Sequence, residues 1–134
     1  MTDFPISATG AADPTTEAFW AACQEHRLTV QSCRDCGGNQ MYPRGHCVTC
    51  GGDNLEMVAV SGRGEIYSLT TVRIPVTDDL TPPYFLALVD LDEGPRLLTN
   101  IVGASARIGD RVTVEWRARD GLPPIPVFRV VDIV

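Results

Sequence analysis

Cys33-Arg34-Asp35-Cys36-Gly37-Gly38 and Cys47-Val48-Thr49-Cys50-Gly51-Gly52 are two copies of one pattern, with ten residues between Cys36 and Cys47. In each copy the C-x-x-C step lets one tight turn aim both sulfurs at a common point. The glycine that follows tolerates positive φ, so the backbone can fold back over the sulfurs. Four thiolates at this spacing close a tetrahedral shell around one zinc ion, and two facing knuckles make a zinc ribbon. A complete sulfur shell leaves no position for water or substrate, so the expected zinc on Cys33, Cys36, Cys47 and Cys50 is structural. A rubredoxin-type iron centre uses the same knuckles with a longer gap. A thioredoxin-like redox pair needs one C-x-x-C motif in a βαβ setting, and the sequence here has two and no such setting. His46 sits beside Cys47, but the cysteine set is complete without it.

Outward from the knuckles, 134 residues suit one medium domain or two small ones. A ribbon alone is too small to bury a sufficient core, so the metal supplies much of its stability. Four of five cysteines in knuckle spacing point to metal in a reducing cytoplasm rather than to disulfides. No apolar run approaches the roughly 20 residues of a membrane span. Met1 to Gly10 carries no basic residue and does not read as a secretory signal. Net charge is −6, and the chain has no lysine. Residues 1–61 hold three arginines against seven acids, and residues 62–134 hold eight against ten. The zinc half is the more acidic one, whereas a nucleic-acid-binding ribbon needs cations to neutralise phosphates.

Residues 1–12 read as a disordered tail. Residues 13–27 read as a helix, with Asp13 as N-cap and Pro14 in the first turn. Phe19, Ala22, Cys23 and His26 fall on one face at helical spacing, and Trp20 widens the apolar arc. That surplus surface can pack on the ribbon or dock onto a partner. Residues 28–61 read as the ribbon, with strands at 28–32, 40–42 and 55–60. Residues 62–134 read as strand and turn throughout, with strands at 65–74, 84–91, 96–102, 111–117 and 127–133. The expected fold is mostly β: an N-terminal helix, a rubredoxin-like zinc ribbon and a five-stranded OB-type barrel lacking the helix between its third and fourth strands.

No further chemistry stands out. Cys23 and His26 are a Cys–His pair at i, i+3, most simply a buried thiol and a half-buried imidazole. Asp78-Asp79 and Asp92-Glu93 read as turn carboxylates. Gly62-Arg63-Gly64 is too short for a phosphate loop. No catalytic residue is assigned.

Taken in order, Phe19-Trp20, Gln31-Ser32-Cys33-Arg34-Asp35-Cys36-Gly37, Met41-Tyr42-Pro43-Arg44, Cys47-Val48-Thr49-Cys50, Ser61-Gly62-Arg63-Gly64-Glu65-Ile66-Tyr67-Ser68, Pro82-Pro83-Tyr84, Val89-Asp90-Leu91-Asp92-Glu93-Gly94, Ile108-Gly109-Asp110-Arg111-Val112 and Pro126-Val127-Phe128-Arg129 form a series. In spacing and order it resembles the zinc-ribbon/OB-fold family of acyl-CoA-associated proteins, long catalogued as a domain of unknown function. The likeness covers roughly residues 14–130 and departs at Met41-Tyr42, where a proline before Pro43 is common. It implies a non-catalytic accessory subunit that binds a thiolase-like enzyme as a hetero-oligomer. Settings known for the family include thiolysis, retro-aldol cleavage of steroid side-chain thioesters, hydroxymethylglutaryl-CoA formation and polyketide acylation. The small subunit helps assemble the enzyme and enclose the CoA thioester. On this reading Phe19, Trp20, Tyr42 and Pro43 meet the partner, and Arg44, Arg63 and Arg73 meet CoA phosphates. The competing readings are a single-stranded nucleic-acid-binding module, disfavoured by charge, and a free-standing CoA-thioester enzyme.

Overall fold

The computed structural model describes residues 14–131. The expected tail at 1–12 and the Asp13 cap lie outside the described residues. Helix α1 spans Glu17–Gln24, shorter than the expected run to Arg27. The chain ends it with a Schellman motif: Arg27 N–H donates to Ala22 O at 3.0 Å and His26 N–H to Cys23 O at 2.9 Å. His26 takes the left-handed conformation, φ 58°, that glycine usually fills there. Its ring leaves the expected helix face and stacks on Trp116, with centroids 5.4 Å apart and planes within 6°. Phe19, Ala22 and Cys23 form the buried face.

The ribbon sheet is antiparallel in the order β2-β1-β3, from β1 (Thr29–Cys33), β2 (Asn39–Gln40) and β3 (Leu55–Ala59). Two buried glutamines tie the following loop to it. Gln40 Nε2 donates to Gln31 Oε1 at 2.6 Å, and Gln40 Oε1 accepts from Val48 N–H. Gln31 exchanges two bonds with the backbone of Arg44, each 2.9 Å. The loop from Met41 to His46 is thereby held by three side-chain bonds from the sheet, counting Gln40 Nε2 to His46 O.

Five strands close the barrel: β4 (Arg63–Val72), β5 (Tyr84–Leu91), β6 (Arg96–Val102), β7 (Arg111–Arg119) and β8 (Leu122–Val130). Their order is β4-β5-β6-β8-β7, with β7 returning to β4. Only β6 and β8 run parallel among these pairs. This is the OB arrangement, and residues 103–110 between β6 and β7 contain no helix. The last strand starts five residues before the expected Val127. Pro123 and Pro124 lie inside this strand, where β8 is bulged against β7 and β6 is not paired alongside. A strand position without a ladder partner tolerates a missing N–H.

Helix, ribbon and barrel share one core. Phe19 and Cys23 of α1 and Val30 of β1 join Ile66, Val89, Val112 and Phe128 of the barrel. The Phe19, Ala22 and Cys23 face of the helix is spent inside the chain, while Trp20 beside it stays half-buried.

Candidate metal centre and apolar groove

The two knuckles are near copies in space. Cys33 N–H donates to Gly38 O and Cys47 N–H to Gly52 O, at 2.9 and 2.7 Å. Gly37 N–H returns to Cys33 O and Gly51 N–H to Cys47 O, with φ of 78° and 79° at the two glycines. All four sulfurs lie within 4.8 Å of one another. The Cys33–Cys50 and Cys36–Cys47 separations are 3.7 and 3.6 Å. A tetrahedral zinc with bonds of about 2.3 Å requires sulfur–sulfur edges of about 3.8 Å, so the set fits the ion. The Cys47 thiol is drawn down to about 6 by the backbone N–H groups of Cys50 and Thr49. For Cys50 the Gly52 N–H pulls the same way, but hydrogen bonding to Cys33 and burial outweigh it and raise the thiol to about 12. Four thiolates this close need a cation between them to ionise together. Cys33, Cys36, Cys47 and Cys50 would hold zinc, which would stabilise the ribbon and leave no open coordination position.

Four residues read as partner-binding converge. Phe19, Trp20, Tyr42 and Pro43 line one groove of about 330 Å³, with Met41 and Leu98. Phe19 and Pro43 are buried, so they shape its floor rather than offer an open face. Trp20 is half-buried, edge-on to Phe19 at 5.1 Å, with the Arg119 guanidinium 5.4 Å from its ring. Tyr42 stays 43% exposed, and its hydroxyl accepts the Leu98 N–H at 2.8 Å, joining the ribbon loop to β6. Leu98 is 53% exposed and continues the groove onto the outer barrel face beside Leu86 and Leu88. Those outward leucines alternate with inward Ala87, Val89 and Leu97, so periodicity alone did not single them out.

The three arginines assigned to CoA do not converge. Arg63 opens β4 and Arg73 follows its last residue, up to about 30 Å apart at strand rise. Arg63 is 4.0 Å from Asp92, and Arg44 sits on the ribbon loop. Arg73 lines a cleft of about 580 Å³ shared with Tyr84, Asn100 and Arg117. Arg117 was not singled out because a strand arginine has no local signature. Two of the turn carboxylates are ion-paired. Asp92 meets Arg111 through two bonds of 2.8 and 2.9 Å, and Asp79 meets Arg117 at 3.2 Å. The Cys23 thiol is pushed up to about 12 by burial, partly offset by Arg119. With the His26 ring turned onto Trp116, the two do not form a nucleophile–base pair. Among the described residues, no helix is long and apolar enough to cross a membrane.

Comparison with known proteins adds to this geometry. Residues 20–56 match the ChsH2 rubredoxin-like zinc ribbon domain, and residues 57–117 match the ChsH2 C-terminal OB-fold domain. A DUF35 domain-containing scaffold protein of Methanothermobacter thermautotrophicus is 37% identical over 70% of this chain and 74% of its own length. A probable enoyl-CoA hydratase alpha subunit of Thermomonospora curvata is 36% identical over 84% of this chain, which spans only 36% of that protein. The benzoylsuccinyl-CoA thiolase subunit BbsA of Thauera aromatica is 32% identical over 69% of this chain and 68% of its own. A solved chain titled Ltp2-ChsH2(DUF35) aldolase superposes with a TM-score of 0.82 at 32% identity, over 90% of this chain and 97% of that one. With both domains matched in order and the superposition extending over nearly the whole of a solved relative, the chain belongs to the DUF35 family of zinc-ribbon/OB-fold proteins.

Proposed function

We propose that this chain is a non-catalytic subunit of an acyl-CoA enzyme with a thiolase-like partner, which it helps to assemble and whose CoA thioester it helps to enclose. The observation that carries the reading is the groove. Trp20, Tyr42 and Leu98 present adjoining apolar surface, and outward leucines extend it across β5 and β6. A contiguous apolar patch of this kind marks an interaction surface. Relatives named as a thiolase subunit, a hydratase alpha subunit and an aldolase component support the partner's class. In this reading the pair is a hetero-oligomer in a reducing cytoplasm. Trp20 and Tyr42 meet the partner, with Phe19 and Pro43 behind them. CoA lies at the shared edge, with Arg73 facing its phosphates. The acyl group, a steroid side chain or another, is chosen by the partner's pocket, as is the reaction performed on it.

Co-expression with a thiolase-like acyl-CoA enzyme of the same organism tests the reading. The expected result is co-elution on size exclusion and acyl-CoA turnover that requires both chains. A partner that is soluble and fully active alone, with no complex formed, overturns it.

A further inference from the structure

The cleft that holds Arg73 also holds a cation whose surroundings are incomplete. Arg117, on β7, has a side chain only 25% exposed. Its Nη1 donates to Asp79 Oδ2 at 3.2 Å. Its Nε is shut away from solvent and has no hydrogen-bond partner. A guanidinium is built for bidentate pairing with an oxyanion, and here a carboxylate engages it through one long contact. Asp79 reaches it from the β4–β5 connection, residues 73–83, which also carries the exposed Ile74 and Val76. The cleft itself pairs two guanidiniums, Arg73 and Arg117, with apolar and aromatic walls from Leu80, Tyr84 and Phe85.

We propose that Arg117 is a phosphate-binding site and that Asp79 is its resident stand-in. A phosphate group reaching Arg117 competes with Asp79 for the guanidinium and, as the side chain turns from Asp79 toward the cleft, takes its Nε edge as well as Nη. That displacement unties the 73–83 segment from the barrel, so ligand occupancy sets how Ile74 and Val76 are presented. The ligand class is a phosphorylated molecule with an apolar or planar body, since two cations adjoin an apolar wall. The proposal deepens the reading of a CoA-handling subunit and rests on it for that class. Asp79 can serve as the stand-in because it stays ionised. Hydrogen bonding to Thr77, and then to Arg117, holds its carboxyl below the usual range. Thr77 also gives it a partner to keep once Arg117 is taken.

The test uses the full chain with its zinc, titrated calorimetrically with inorganic pyrophosphate, ADP and coenzyme A separately. Asp79→Asn removes the competitor and is expected to tighten binding roughly two- to fivefold, the scale of a half-exposed ion pair. Arg117→Gln is expected to weaken it about tenfold or more. Arg117→Lys keeps the charge but loses the fork, and is also expected to weaken binding, which covers a Gln variant that folds poorly. Arg27→Gln, an exposed arginine at the helix end paired with Glu25, should leave affinity unchanged. Amide exchange across 74–82 should quicken when ligand binds the wild type and should already be fast in Asp79→Asn. Equal affinity for Asp79→Asn and wild type, or retained affinity in both Arg117 variants, overturns the proposal. Failure of all three ligands to bind, with the partner complex intact, overturns this site alone. Tight pyrophosphate binding without any partner complex upholds the site and sinks the subunit reading.

Discussion

Tyr42→Phe removes one oxygen at the seam between ribbon and barrel, and its consequence can be worked from the structure. The Leu98 N–H that Tyr42 serves, at 2.8 Å, points to the side of β6 where β8 is not paired, because β6 and β8 meet only at Ile101–Val102. That donor has no strand to receive it once the hydroxyl is gone. Tyr42 and Leu98 are 43% and 53% exposed, so water can reach the amide and replace part of the bond. The loss belongs at the low end for a hydrogen bond, about 0.5–1 kcal/mol, not the larger penalty of a buried orphan. For a chain of this size that corresponds to a drop in melting temperature of roughly 2–4 °C. Local opening at Leu98 should become roughly two- to fivefold more frequent, read by amide exchange at that residue.

The same variant separates ring from hydroxyl in partner binding. The aromatic ring stays in Tyr42→Phe, so affinity for the partner should hold within a factor of about two, whereas Tyr42→Ala should lose tenfold or more. Unchanged exchange at Leu98 in the Phe variant would refute the seam argument. Equal losses of affinity in the Phe and Ala variants would show that the hydroxyl, not the ring, faces the partner.

Metal analysis should find one zinc per chain, and chelation should remove the order of β1–β3 while far-UV dichroism retains the barrel strands. Gly64→Ala places a Cβ 2.5 Å from Asp90 O and 2.8 Å from Val89 Cγ1, both fixed by the barrel, so a loss of about 1–3 kcal/mol is expected in denaturant titration. Substitution of Gly45, where nothing lies within 4 Å, is the neutral control. Trp20→Ala should weaken the partner complex by tenfold or more while lowering chain stability by only about 1–2 kcal/mol, since Phe19 keeps the floor of the groove. Asp79 and Asp92 have folded pKa values held below the ordinary range, Asp79 by Thr77 then Arg117 and Asp92 chiefly by Arg111. Groups depressed in this way stabilise above the unfolded value near 4, and the contribution disappears as pH falls through the folded one. The denaturation midpoint should therefore show no loss from these pairs between pH 8 and about pH 5, and should fall below about pH 4.

The metal site was legible because its information is local: two cysteines and two glycines repeat within each knuckle, and each repeat dictates its own turn. Strands β5 and β6 were legible to the residue, since Asp92-Glu93-Gly94-Pro95 punctuates them sharply. The start of β8 was not, because proline reads as a stop unless the missing neighbour is known. The end of α1 was misread for a related reason. A histidine in the left-handed region is held by Trp116, ninety residues away in sequence, and no local pattern announces it. Phe19, Trp20, Tyr42 and Pro43 enter the sequence reading only through a resemblance, and their meeting in one groove depends on contacts such as Tyr42 with Leu98, 56 residues apart. Arg44, Arg63 and Arg73 sit on separate stretches of the fold, a separation that no local pattern in the sequence carries.

The position of the groove explains what a structural zinc can contribute to binding. One wall is α1, fixed by Phe19 and Cys23 in the common core. A second is the barrel, closed by its own ladder. The third is Met41, Tyr42 and Pro43, which lie between the two knuckles, on the segment whose ends are Cys36 and Cys47. Gln31 and Gln40 tie that segment to a sheet of only three strands, one of them two residues long. A sheet so small is marginal on its own, so the metal's closure of the loop is what holds the third wall against the other two. The zinc thereby sets the shape of the groove proposed above as the partner surface.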